Sequence, residues 1–323
     1  MFQLSKNFTF RIARIHGHHI SNQRPGNYLF SEKRGQRFDT VGTGYIVDVR
    51  GPYHEGDESY SKHRQVCRVC RVLQSGNTQV WGVVVSTARH VLFDQNEATS
   101  SELVLFDHYD DGSGSVILHG GLFVWGKTVQ DDSLHMFFTH DEKLADRLSQ
   151  VLAIDKEIRG QISERQISKK SGVVRAVIKL WLRLWSVFSN INEMDAGAIL
   201  VFLHNRLPVP LQLVYKILIS QRLKADSSRP LMLLSHPHGR KLYISLGKYI
   251  QRSTLACHSW CVYDAKSCCG SSGGFILSLD PLFNYVPYAG RFFHSNTHSG
   301  VTRDSDGISH RNLSNVSSLN SVG

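Results

Sequence analysis

Between Val41 and Gly126 the chain is one short apolar segment after another, each closed by glycine, serine or asparagine. "VGTGYIVD" begins at Val41, "TQVWGVVVSTA" at Thr78, and "ELVLFDHY", "SVILHGG" and "LFVWG" follow. "QVCRVCRVL" alternates apolar and polar residues and reads as a further strand, closed by the turn signal "QSGN"; "GPYHEGDESYSKH" before it reads as a loop. Short β-branched runs of this kind cannot bury both faces alone. They pair into a barrel or a sandwich.

The texture changes at Asp141. "DEKLADRLSQVLAIDKEIRGQI" and "GVVRAVIKLWLRLWSVFSNI" are helical, with the polar linker "SERQISKKS" between them. β texture returns at Asp195, and from about Arg303 the tail is rich in Ser and Asn. The expected organisation is an arm over 1–40 with one strand at Phe8–Ile15, a first barrel over 41–140, a helical insert over 141–190, a second barrel over 191–302 and a disordered tail over 303–323. In the second helix, Arg175, Lys179 and Arg183 recur every fourth residue on one face of an otherwise apolar segment. That pattern suits packing on the barrel with a solvated basic stripe, and a membrane surface or protein partner through 172–191 is the functional version of it.

Lys and Arg number 37 against 27 Asp and Glu, a net charge of +10. No arginine–glycine tract, finger spacing or aromatic RNA-binding run accompanies the charge, so nucleic acid is disfavoured as a partner. The first residues lack the apolar core of a secretory leader, and six cysteines in 323 residues are too few for a disulfide scaffold. Both point to an intracellular, cytoplasmic protein. Cys67, Cys70, Cys257 and Cys261 form a possible zinc set, but on a strand Cys67 and Cys70 face opposite sides, so no metal is expected. "HGHH" at His16–His19 reads as polar arm, and His236 and His238 as turn residues.

The chemistry lies in "KSCCGSSGGFIL", Lys266 to Leu277. A Gly- and Ser-rich turn before a strand can hold the Ser272 hydroxyl in the open and aim the amides of Gly270 and Ser272 at one point. Such a hydroxyl needs a base and an orienting carboxylate. "VVVSTARHVLFD" ends an apolar strand just before His90, a rigid mount for a base. Asp195 in "NEMDAGAILVFL" is the expected orienter, with Asp132 in "QDDSLHMFF" as its rival.

"GTGYIV", "STARHVL", "MDAGAILVFL" and "YDAKSCCGSSGGFIL" together resemble the trypsin-like (chymotrypsin-fold) serine peptidases, nearest the branch of the HtrA and glutamyl endopeptidases. "SHPHGRKLYISLGKY" is similar to a turn of that branch's second barrel, with Ser235 for the first Gly, and "NTHSG" to its substrate-pairing strand. The resemblance covers roughly 41–106 and 190–302 and implies an all-β core of two antiparallel six-stranded β-barrels, with the helical insert between them. It implies His90 as base, Asp195 as orienter, Ser272 as nucleophile, and Gly270 and Ser272 as oxyanion hole. The activity implied is a serine-type endopeptidase acting on peptide or protein substrates without a cofactor; the alternative is an inactive relative used as a binding module. Lys266, six residues before Ser272, falls where trypsins place the base of the specificity pocket and implies a taste for acidic side chains. Ser271 replaces the Asp that pairs with a freed N-terminus in secreted trypsins, and Val91 replaces their bracing Cys. Arg89, beside the base, is also unusual and is expected to disfavour the imidazolium.

Overall fold

The computed structural model describes residues 9–67, 70, 79–108, 112–128, 131–168, 230–255, 258–278, 292–294, 302–304, 307–309 and 312–315. The chain is mostly β. Its first sheet has seven strands: β1 (Ile12–Gly17), β2 (Thr40–Tyr53), β3 (Val80–Ala88), β4 (Glu102–Leu105), β5 (Val116–His119), β6 (Gly121–Lys127) and β7 (Asp132–Thr139), in the order β5-β4-β1-β2-β3-β7-β6. This replaces the expected six-stranded first barrel. β1, in the segment expected as an arm, pairs antiparallel with both β2 and β4.

β3 explains the sheet. All nine of its residues are buried, because β2 and β7 flank it and both of its faces are covered. Val83 and Val85 point into a cluster with Ile15, Ile46 and Phe137. Val80 and Val84 point the other way, to Leu134, Met136 and Phe138. Period-two alternation distributes one apolar strand between two cores. α3 (Glu142–Ser168) covers the first core with Leu144 and Leu148, one helical turn apart. It runs on through most of the expected linker at 163–171.

α1 (Glu58–Val66) covers the second core with Tyr60 and Val66. This segment was expected as a loop followed by a strand through Cys67 and Cys70. Instead β2 extends to Tyr53, α1 follows, Cys67 caps its C-terminus, and Cys70 is again helical. The alternation in "QVCRVC" is therefore incidental, and the two thiols do not face opposite ways. A third helix, α2 (Gln95–Thr99), is capped by Asp94, whose side chain accepts from the Asn96 and Glu97 amides.

The second set of strands is β8 (Pro230–Ser235), β9 (Tyr243–Leu255), β10 (His258–Tyr263), β11 (Phe275–Ser278), β12 (Phe292–His294) and β15 (Asn312–Asn315), whose pairings run β10-β15-β12-β11-β8-β9 and return to β10. β13 (Thr302–Asp304) and β14 (Gly307–Ser309) form a separate hairpin. The tail expected to be disordered thus carries three strands, and β15 pairs with both β10 and β12. The helix expected at 172–191, with Arg175, Lys179 and Arg183, lies outside the described residues, as do Asp195 and "NTHSG". Among the described residues no helix is long and apolar enough to cross a membrane.

The two sets of strands meet at a small apolar seam of Ile12, Tyr45, Met232, Leu234 and Phe275. The Tyr45 and Phe275 rings stack with centroids 4.2 Å apart, and the Arg11 guanidinium caps Tyr45 at 4.2 Å. Such a ring pair adds about 0.5–1.5 kcal/mol beyond the area it buries.

Candidate active site

β3 ends at Ala88, and the chain turns at once: the Val91 amide donates to the Ala88 carbonyl at 3.0 Å, which puts His90 at the corner of the turn. "VGTGYIV" makes room for it. A Cβ on Gly42 would stand 2.4 Å from a Val91 methyl, and one on Gly44 would stand 2.5 Å from Val85. Both glycines are the space into which the His90 turn and β3 pack.

The register of β3 against β7 brings the partner. Ala88 faces Asp132, so Asp131, one residue earlier, lies beside the His90 turn. Its carboxylate takes His90 at two points: Oδ1 accepts the His90 amide at 2.9 Å, and Oδ2 is 2.7 Å from His90 Nδ1. The Tyr28 hydroxyl donates to Oδ1 at 2.7 Å. Burial, with the charge and hydrogen bond of Asp131, pushes the Tyr28 hydroxyl pKa far up, so Tyr28 remains a donor. His90 is 3% exposed and Asp131 5%. With Nδ1–H held by the carboxylate, neutral His90 presents Nε2 as its lone-pair nitrogen.

The carboxylate found at His90 is thus neither of the two expected. Asp132, the rival, stands next to Asp131 in sequence but has its Oδ1 3.4 Å from the Ser86 hydroxyl. Asp195, the expected orienter, is outside the described residues, and the Nδ1 it was expected to bind is held by Asp131. Arg89 turns from the ring: its Nη1 donates to the Gly126 carbonyl at 2.9 Å, and its guanidinium lies 4.5 Å over Phe93.

The Gly-rich turn is held against this corner by Thr43. The Thr43 amide donates to the Ser272 carbonyl at 2.7 Å, its hydroxyl donates to the Gly270 carbonyl at 2.8 Å, and the same hydroxyl accepts the His236 amide at 2.9 Å. Gly270 (φ 89°) and Gly273 (φ 82°) are both in left-handed conformations. A Cβ on Gly273 would fall 2.0 Å from the Thr43 carbonyl and 3.0 Å from the Ala88 amide, two residues before His90. Glycine is required there on both counts. Within the turn, the Ser271 amide donates to Cys268 at 2.9 Å and the Gly274 amide to Ser271 at 2.8 Å. Below it, the Ser235 hydroxyl donates to that of Ser271 at 3.1 Å. Ser272 is 6% exposed, and Lys266 is exposed.

His236 and His238 sit in a tight turn, as the sequence implies. The His238 amide donates to the Cys269 carbonyl at 2.5 Å, fastening "SHPHG" to the Gly-rich turn. His236 is buried, its pKa lowered to about 4 by desolvation against an opposing hydrogen bond to the Arg240 carbonyl. His135 on β7 is lowered to about 3, again by desolvation first. Both are depressed bases, so the unfolded chain binds their protons near pH 6.5 while the folded chain refuses them. Their contribution is complete above that pH and is lost as pH falls toward 4. At pH 5 each group is expected to remove about 2 kcal/mol of stability. Urea midpoints at pH 7.5 and pH 5.0 that coincide would contradict this.

Tyr28, Asp131 and Thr43 are the site residues that sequence reasoning missed, and Arg24 with Glu97 supports the same corner. Arg24 Nη2 donates to the His90 carbonyl at 3.0 Å while its Nε and Nη2 pair with the two Glu97 oxygens at 2.6 Å. A separate group, His63, Cys67, Cys70 and His140, gathers at the opposite end of β7.

No protein-family model matches the chain, and no curated protein matches it. Among solved structures, the chain is similar to the inactive form of Rv3671c from M. tuberculosis H37Rv, in a serine-to-alanine mutant, with 9% identity and a TM-score of 0.39 over 97% of this chain and 84% of that one. It is also similar to the HtrA-type protease AlgW with a decapeptide, with 10% identity and a TM-score of 0.40 over 98% of this chain and 63% of that one.

Proposed function

We propose that the chain is a trypsin-like serine endopeptidase in which His90 is the general base, Asp131 its orienter and Ser272 the nucleophile. The observation that carries the reading is the two-point grip of Asp131 on His90, with Nδ1···Oδ2 at 2.7 Å, at the corner against which Thr43 docks the Ser272 turn.

Each group has a definite task. Ser272 Oγ attacks the carbonyl carbon of a bound peptide and passes its proton to His90 Nε2. The imidazolium that forms is held by Asp131, which keeps the ring in the useful tautomer and does not itself take the proton. The amides of Gly270 and Ser272, which donate in none of the turn's hydrogen bonds among the described residues, receive the oxyanion. The tetrahedral intermediate collapses when His90 returns the proton to the leaving amine, and water then releases the acyl group by the same route. This chemistry needs no cofactor. Lys266, exposed six residues before the nucleophile, is assigned to contact an acidic substrate side chain, so a peptide library should show enrichment of Asp or Glu before the cleaved bond.

A fluorophosphonate probe tests the reading. The wild-type chain is expected to label, and Ser272→Ala and His90→Ala to lose labelling while keeping their circular dichroism spectra. A folded wild-type chain that stays unlabelled would leave the fold as a binding module.

A further inference from the structure

β7 runs between Asp131, just before it, and His140, just after it, about 30 Å apart at strand rise. At the His140 end, four side chains of metal-binding type converge. His63 and Cys67 come from the end of α1, Cys70 from a helical residue three further on, and His140 from the residue after β7. One ligand atom from each lies within 4.8 Å of all the others. We propose that His63, Cys67, Cys70 and His140 form a structural zinc site.

The separations fit. Tetrahedral zinc with bonds of about 2.3 Å to sulfur and about 2.0–2.1 Å to nitrogen holds its ligand atoms about 3.3–3.8 Å from one another. Cys67 Sγ is 3.5 Å from His140 Nε2, Cys70 Sγ is 3.2 Å from the same nitrogen, and Cys70 Sγ is 3.7 Å from His63 Nε2. The two rings stand edge to face, 5.0 Å between centroids, so they approach a common point from different directions. Two thiolates and two imidazoles select zinc over hard cations, and a closed set of four leaves no position for a reacting water.

The burial fits as well. His63 is fully buried, and Cys67 and Cys70 are 8% and 7% exposed. The spacing His63-x3-Cys67-x2-Cys70 is i, i+4, i+7, the helical spacing that places three ligands on one side. Both cysteines are free thiols in the structure. The site also supplies what its surroundings lack. α1 has nine residues and buries only Tyr60, His63 and Val66, too little to hold a short helix on a sheet. Zinc would fasten the long β2–β3 excursion to the end of β7.

The experiment uses the full chain, purified under reducing conditions from zinc-supplemented cells. Elemental analysis is expected to give about one zinc per chain. A mercurial that caps thiols should release that zinc to a chromogenic chelator in the wild-type protein, without recourse to variants. Cobalt exchange should give the strong visible bands of a tetrahedral thiolate site. Cys67→Ser with Cys70→Ser, or His140→Ala alone, should remove the zinc. Wild-type chain without zinc, its melting midpoint unmoved by added zinc, would overturn the proposal. So would zinc that survives loss of Cys67 and Cys70 but disappears in a Cys257→Ser, Cys261→Ser chain.

Discussion

Asp131→Asn is expected to slow peptide hydrolysis about ten-thousandfold at neutral pH while leaving the fold intact. The reason is a tautomer. In the wild type, Oδ2 at 2.7 Å can only accept, so Nδ1 carries the proton and Nε2 is left as the lone-pair nitrogen that the proposed mechanism needs. An asparagine at 131 can present its amide to the ring instead and place the hydrogen on Nε2, where it blocks the transfer. Its carbonyl oxygen can still accept the His90 amide or the Tyr28 hydroxyl, so the turn keeps its shape. Asp132→Asn, one residue away but facing Ser86, is expected to change the rate little. Rates of fluorophosphonate labelling, with melting curves alongside, make the comparison. If Asp195→Asn and not Asp131→Asn removed the activity, the assignment of Asp131 would fail.

Breaking the Arg24–Glu97 pair is expected to destabilise the chain by about 3–5 kcal/mol, because either single substitution leaves the other charge buried without its partner. The two side chains are 0% and 1% exposed and joined at two points. Each has further duties. Arg24 also donates to the carbonyls of His90 and Leu29, and Glu97 accepts the amides of Ser21 and Phe93. Arg24→Met and Glu97→Leu should therefore each lower the urea midpoint steeply. The double substitution should be less harmful than the sum, since it removes both charges together. Because Arg24 holds the His90 carbonyl, the single variants should also lose labelling rate before they unfold. Two single variants within 1 kcal/mol of wild type, given the buried-pair estimate of about 3–5 kcal/mol, would refute the account.

What the sequence revealed follows from how local each signal is. β3 and the corner at His90 were legible because nine buried residues in a row leave a strong local mark. The Gly-rich turn was legible because its left-handed residues demand glycine. Asp131 was not, since its meeting with His90 depends on the β3–β7 register, and two adjacent carboxylates look alike until a pleat sends one of them to Ser86. Cys67 and Cys70 were misread for a related reason: six residues of alternation mimic a strand, whereas His63, Cys67 and Cys70 at helical spacing, read together with His140, pointed to convergence. The β strands after residue 300 were masked by polar composition; β15 is defined by its pairing with β10 and β12, not by apolar residues of its own.

Thr43 belongs to β2, yet three of its hydrogen bonds reach residues beyond position 230. On the proposed reading, reactivity at Ser272 is thereby made conditional on the joining of the two halves: a chain whose sheets have formed separately has every reacting group and still lacks a working serine.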